Sequence, residues 1–206
     1  MNLRSRFLVD AGWTFHDGKD VYLALRMMSG GSLQHYLGQV IDARGHGFDV
    51  ATLKFYVASS ALGLAALHEA GFVYRDLKDR NVLLDADGRA KLSDFGLVGD
   101  LSAGPIRGFA GTRGFAAPEV LRGEPYGIAP DWWTVGACVY HWHVGHKPFW
   151  VQADEGADEG ELKADLTRQV CEAAYDEARV DGEVAGLRSF VRECLTLRPE
   201  ARLGAK

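Results

Sequence analysis

The sequence predicts an α+β chain that is mostly helical, with short strands near its start and around one central hairpin. Three observations predict it. Two extended runs, Phe7 to Phe15 and Val21 to Met27, flank the turn-forming string His16-Asp17-Gly18-Lys19-Asp20. Apolar residues recur at intervals of three and four at Leu53, Tyr56, Val57, Ala61, Leu64 and Leu67, the period of one helix face. Two apolar triplets, Val82-Leu83-Leu84 and Ala90-Lys91-Leu92, bracket Asp85-Ala86-Asp87-Gly88 and read as strands around a turn.

The 206 residues are 47% hydrophobic, enough for one domain with a real core. The net charge of −5 argues against a nucleic-acid partner, because phosphate binding needs a basic surface. Cys138, Cys171 and Cys194 are odd in number and far apart, which points to a reduced, cytoplasmic protein rather than a disulfide framework. Met1 to Arg6 carries two arginines ahead of only a short apolar run, so no signal peptide or transmembrane segment is readable.

Among the helices, Leu33 to Ala43 is short, and Asp49 is placed to cap the next, which runs to about Ala70. Gly63 weakens that helix slightly. Asp131, just after Pro130, opens a helix running through His141, with Trp132 and Trp133 as core anchors. His141, His143 and His146 match no tetrahedral zinc spacing and are expected to be partly exposed side chains. Asp154 to Glu161 reads as a solvated acidic loop, or more weakly as a docking patch for a basic partner. Leu162 to Ala174 and Glu183 to Leu195 read as amphipathic helices, the second burying Leu187, Phe190, Val191 and Cys194.

Three polar residues, Asp76, Asn81 and Asp94, lie on loops between apolar runs. The hairpin between Asn81 and Asp94 returns the chain, so the two can sit side by side. An amide and a carboxylate are hard oxygen ligands suited to Mg²⁺, and the second carboxylate, Asp76, can accept a proton from an attacking hydroxyl.

The order Tyr74-Arg75-Asp76-Leu77-x-x-x-Asn81, Asp94-Phe95-Gly96, Ala117-Pro118-Glu119 resembles the eukaryotic protein kinases. Tyr74, where most kinases carry His, is familiar from their AGC group. Ser5 to Val9, Met28 to Leu33, Gly111 to Phe115 and Asp131-Trp132-Trp133 are similar to strings of the G protein-coupled receptor kinases. The resemblance spans the chain to Arg202-Leu203-Gly204. It implies a protein kinase-like fold: residues 1–28 as the last strands of a small lobe and its hinge, 29–206 as a mostly helical large lobe. No G-x-G-x-x-G, strand Lys or helix Glu of a complete small lobe occurs in the sequence, and the expectation is a longer protein upstream of Met1.

What the resemblance implies for chemistry is specific. The cofactors are ATP and Mg²⁺. Leu25 is the gatekeeper, Arg26 C=O and Met28 N–H hold adenine, and Leu83 contacts the nucleotide. Asp76 is the catalytic base, and Lys78 stabilises charge on the transferring group. Asn81 and Asp94 hold the metal. Thr112 bonds near Asp76 and Lys78 and favours Ser/Thr substrates. Glu119 pairs with Arg202, and Asp131 accepts bonds from the catalytic-loop backbone. Gly108-Phe109-Ala110 has no hydroxyl where many AGC kinases are phosphorylated, so Arg75 lacks its usual phosphate partner. Arg80 and Ser32 stand where acidic residues often do, which implies tolerance of acidic or phosphorylated substrates. The implied function is a cytoplasmic serine/threonine protein kinase with a protein substrate and a receptor or signalling partner. The alternative is a catalytically impaired remnant acting as a binding module.

Overall fold

The chain enters by pairing twice. In the computed structural model, which describes residues 5–152, 157–180 and 186–205, Phe7 to Val9 lies beside a strand more than eighty residues on. Val9 N–H donates to Leu92 O and Leu92 N–H to Phe7 O, both at 2.8 Å. At Asp10 the chain changes partner, and β1 (Ala11–His16) pairs antiparallel with β2 (Val21–Leu25). The single strand expected over Phe7 to Phe15 is therefore two segments with different neighbours. Strand β2 stops at Leu25, short of Met27, where Arg26 N–H turns back to Asp10 O at 3.1 Å. Asp17 shapes the turn by accepting the Lys19 and Asp20 N–H groups at 2.9 Å each. The hairpin buries little: Trp13, Val21 and Leu23 are 79%, 77% and 63% exposed.

The rest is a helical body with a small sheet. Strand β3 (Gly31–Ser32) leads into α1 (Leu33–Arg44), which Ser32 caps through His35 N–H. Asp49 caps α2 (Val50–Glu69) by accepting Thr52 N–H at 2.9 Å, as its position in the sequence suggests. Helix α2 is long and apolar enough to cross a membrane by length and composition, but Leu53, Tyr56, Leu64 and Leu67 are buried in the core. Gly63 has a packing reason to sit within it. A Cβ there would lie 2.9 Å from Leu92 Cδ1 and 3.1 Å from Phe7 O, so glycine lets the entering segment and the sheet approach the helix.

Strand β4 (Phe72–Val73) follows, then β5 (Val82–Leu84) and β6 (Ala90–Leu92), which form the expected hairpin with Leu83 opposite Lys91. Strand β3 adds to β5, giving the order β3-β5-β6, while β7 (Gly99–Asp100) pairs with β4. After α3 (Pro118–Leu121), α4 (Ala129–Val144) crosses the body. Trp133 is fully buried and stacks on Phe149 at 5.7 Å. Its neighbour Trp132 faces outward from α4, only partly buried, beside Gly204 and His68, because adjacent helix residues point about 100° apart.

Helix α5 (Glu159–Cys171) starts earlier than the apolar pattern suggests. Asp158 caps it through Glu161 N–H at 2.9 Å, and Glu159 and Glu161 sit in the first turn, where the helix dipole favours negative charge. Half of the supposed acidic loop is thus a helix start; Asp154 to Gly156 lies outside the described residues. In α6 (Leu187–Cys194), Val191 and Cys194 are buried, whereas Leu187 and Phe190 line an open apolar groove with Leu53, Val57 and Trp132. Glu183 to Ala185 lies outside the described residues.

One buried ion pair ties the end of the chain to its middle. Arg202 donates to both Glu119 oxygens at 2.7 and 3.1 Å, with neither side chain more than 1% exposed. Ala129 O and Thr196 O take further guanidinium N–H groups, and the Trp133 ring lies 5.2 Å from Arg202 Cζ. The pair expected from the sequence is present with its hydrogen bonds satisfied, the condition for tolerating buried charge.

Candidate active site

The loop from Tyr74 to Asn81 is built on Asp131, whose side chain is buried in the first turn of α4. Its carboxylate accepts Tyr74 N–H and Arg75 N–H, each at 2.8 Å, and Nε2 of His68 lies 2.7 Å away. This clamp fixes an unfavourable backbone. Arg75 has φ of +72°, a left-handed conformation that costs a branched or long side chain energy unless its surroundings impose it. The expected bonds from the loop backbone to Asp131 are present; the His68 contact, across 63 residues of sequence, had no local signal.

The strained turn aims Asp76 into a polar knot. Thr112 Oγ1 donates to Asp76 Oδ1 at 3.0 Å. Lys78 Nζ donates to Asp76 Oδ2 at 2.7 Å and to Thr112 Oγ1 at 3.0 Å. Asn81 Nδ2 donates to Asp76 O and Oδ2, both at 2.9 Å. Asp76 and Asn81 are 6% and 4% exposed, so these bonds act where solvent competes little. Asp76, Lys78, Asn81 and Thr112 are therefore one assembly drawn from two loops.

Asp94 stands apart from that knot. Ser93 links the two sides: its N–H and Oγ each donate to Asn81 O at 2.9 Å. The hairpin thus returns the chain as the sequence implies. Asp94 has a backbone φ of +54°, and among the described residues its exposed carboxylate takes only Gly96 N–H, at 3.4 Å. Burial, then Asp76, Asp94 and Asp131, holds the Tyr74 phenol well above its usual range, and its hydroxyl donates to Ser93 O. All three carboxylates therefore act on one buried ring.

The donor set fits a hydrated divalent ion carrying phosphates. Asn81 spends its NH₂ on Asp76, which leaves its amide oxygen for a ligand, and Asp94 offers an open carboxylate. Among the described residues no three His, Cys, Asp or Glu side chains gather as a metal cage. Such a pair of oxygens suits Mg²⁺, which keeps waters and substrate oxygens in its shell.

The remaining candidate residues line the edge of the small sheet and the hairpin exit. Leu83 is the partly exposed middle residue of β5, opposite Ser32 and Lys91. Leu25 is 51% exposed, Arg26 is exposed, and Met28 is partly buried with its carbonyl taking Gly31 N–H at 3.2 Å. Met28 N–H makes no hydrogen bond among the described residues, so it is free to meet a ligand. His141, His143 and His146 go to separate partners: Asp79 at 3.9 Å, Phe48 O at 3.1 Å and Lys147 O at 3.0 Å. Sequence reasoning passed over Tyr126, whose hydroxyl reaches both Arg75 and Gly108 O, because nothing near it in the chain marks that contact.

Comparison with known proteins agrees with the geometry. Residues 1–206 match the protein kinase domain family. Rat rhodopsin kinase GRK1 is 34% identical over 204 residues, 98% of this chain and 35% of that protein. Mouse G protein-coupled receptor kinase 4 is 38% identical over 148 residues, 71% of this chain and 25% of that protein. The G protein-coupled receptor kinase 1 of Caenorhabditis elegans is 33% identical over 205 residues, 99% of this chain and 30% of that protein. The chain spans about a third or less of the length of these relatives. With the motif loops assembled around Asp131 and the whole chain matched, the protein belongs to the protein kinase domain family.

Proposed function

We propose that this domain transfers the γ-phosphoryl group of ATP to a Ser or Thr hydroxyl of a protein substrate. The observation that carries the proposal is the Asp76–Lys78–Thr112–Asn81 assembly, with Asp76 and Asn81 buried at its centre. Three donors fix the Asp76 carboxylate, so it meets an incoming hydroxyl without reorganising. Asp76 takes the hydroxyl proton as the oxygen bonds to phosphorus, and the bond to the bridging oxygen breaks with its electrons leaving on ADP. Lys78 sits 2.7 Å from Asp76, where it can offset charge on the transferring group. Asn81 and Asp94 would hold Mg²⁺, which would neutralise phosphate charge when bound. Arg26 C=O, Met28 N–H and Leu83 form the nucleotide edge. In this reading residues 1–28 are the end of a small lobe and its hinge, and 29–206 the large lobe of an AGC-type kinase.

The substrate face favours anionic sequences. Arg80 is exposed beside the Asp76 loop, and Ser32 spends its hydroxyl on capping α1. The relatives are named for rhodopsin and for G protein-coupled receptors, which supports a receptor or signalling protein as partner. Cys138, Cys171 and Cys194 are all free thiols, in keeping with a cytoplasmic setting. A second reading, a binding module without turnover, draws on the exposed Trp13, Val21 and Leu23 of the β1–β2 hairpin.

Mg-ATP thermal shift and phosphate transfer to a peptide array separate the two. The kinase reading expects stabilisation by Mg-ATP that Asp94→Ala abolishes. It also expects transfer that Asp76→Asn lowers by about 10²-fold or more. Equal melting with and without nucleotide, and no transfer, would leave the binding module. A preference for basic flanking residues would overturn the anionic-substrate assignment.

A further inference from the structure

We propose that Lys91 is a positioning residue for the nucleotide, a strut that sets the spacing of Arg26 and Met28 from Leu83. The proposal rests on the kinase reading above, in which Arg26 C=O, Met28 N–H and Leu83 form the nucleotide edge. Leu83 and Lys91 lie directly opposite each other on β5 and β6, so their side chains share one face of the small sheet. From that face Lys91 Nζ reaches the entering segment, donating to Leu8 O at 3.3 Å and to Asp10 Oδ2 at 3.2 Å. The Lys91 side chain is 13% exposed, so its stem is packed rather than extended into solvent.

Asp10 passes the hold on. Its carboxylate meets Lys91, and its carbonyl accepts Arg26 N–H at 3.1 Å. Three residues therefore run from the sheet that carries Leu83 to the segment that carries the groups read as holding adenine. The far end of that segment is seated by main chain. Gly30 N–H donates to Leu84 O at 2.9 Å, and a Cβ on Gly30 would lie 2.6 Å from Asp85 O, so glycine lets the segment rest directly on β5. The near end is built differently. Main-chain bonds between Phe7, Val9 and Leu92 bring Asp10 within reach of Lys91, but at Asp10 the chain leaves β6 for β2. There the tie between the two sheets passes through a side chain. Among the described residues Lys91 makes no bond to Asp76, Lys78, Asn81 or Thr112, so the strut acts on the nucleotide edge and not on the proton-accepting assembly.

Lys91→Met tests it, removing the ammonium while keeping an unbranched stem. The readouts are Kd for Mg-ADP, KM for Mg-ATP and for a Ser-bearing peptide, kcat at saturating nucleotide, and amide exchange at Arg26. The expected result is a rise of about three- to tenfold in Kd for Mg-ADP and in KM for Mg-ATP, the scale of one net hydrogen bond at a partly exposed site. Values of kcat and peptide KM are expected within about twofold of the unsubstituted chain, a split that general destabilisation would not give. Exchange at the Arg26 amide should quicken by a similar factor to the Kd, because Asp10 O is then held less firmly. Lys91→Arg keeps the charge and its donors and should restore nucleotide affinity. Asp10→Asn should add little to Lys91→Met, because both break one contact. Unchanged Mg-ADP affinity in Lys91→Met, equal losses in kcat and nucleotide KM, or no restoration by Lys91→Arg would overturn the strut and leave the kinase reading standing. An unsubstituted chain that binds no Mg-ADP would overturn the kinase reading and the nucleotide role of Lys91 with it.

Discussion

Asp131→Asn isolates the clamp under the catalytic loop with a near-isosteric change. In the structure Oδ1 accepts Arg75 N–H, while Oδ2 accepts Tyr74 N–H and meets His68 Nε2. An asparagine can keep one of these oxygens and must place NH₂ at the other. With the oxygen on Arg75, the NH₂ can donate to His68 in its other tautomer but faces the Tyr74 N–H donor to donor. One buried backbone N–H loses its partner, which costs roughly 1–3 kcal/mol. Losing the negative charge also weakens the surviving bonds and the favourable placement in the first turn of α4, worth about 0.3–1 kcal/mol. The expected destabilisation is about 3 kcal/mol, or roughly 6–12 °C in melting temperature for a chain of this size. Urea unfolding at constant slope would measure it, and amide exchange at Tyr74 and Arg75 would locate it. A loss below about 0.5 kcal/mol, with exchange at both amides unchanged, would refute the clamp as the source of loop order.

Three further outcomes follow from the packing. Glu119→Ala leaves the Arg202 guanidinium buried without its partner and should cost about 3–5 kcal/mol by urea unfolding, whereas Glu119→Met with Arg202→Met should recover much of that. Gly136→Ala puts a Cβ 2.5 Å from Cys194 Cβ between α4 and α6, so a loss of about 1–3 kcal/mol is expected in thermal melts; a neutral result would mean the helices separate freely. Burial holds the His141 imidazole below its ordinary value of 6.5, partly offset by Asp79. The unfolded chain then binds that proton first, so stability is full above 6.5 and falls as pH drops below it. His141→Gln should flatten part of the slope between pH 7 and 5, and parallel curves for the two proteins would contradict the assignment.

Features that a short window of sequence can encode are legible in the sequence alone. Asp49 three residues ahead of Thr52, the Asp85-to-Gly88 turn, and the α2 stripe are each local arrangements of a few residues, and each sits where the pattern places it. The motif order fixed the family for the same reason: it is a linear string, and the family match spans it. Where local signals competed, the sequence misled. Leucines pulled the start of α5 forward, although Asp158 and the acidic first turn open it earlier. An unbroken extended run concealed the change of partner at Asp10.

What the sequence by itself determined is the set of helices and turns and the family they build. Only the tertiary structure decided which polar atoms meet. His68 finds Asp131 across 63 residues, Arg75 finds Tyr126 across 51, and Glu119 finds Arg202 across 83. The physical reason is range. Helix period, caps and turns are set by hydrogen bonds within about four residues and leave their mark there. A buried hydroxyl or carboxylate instead takes whichever partner the packed core presents, and no neighbour in the chain records that choice.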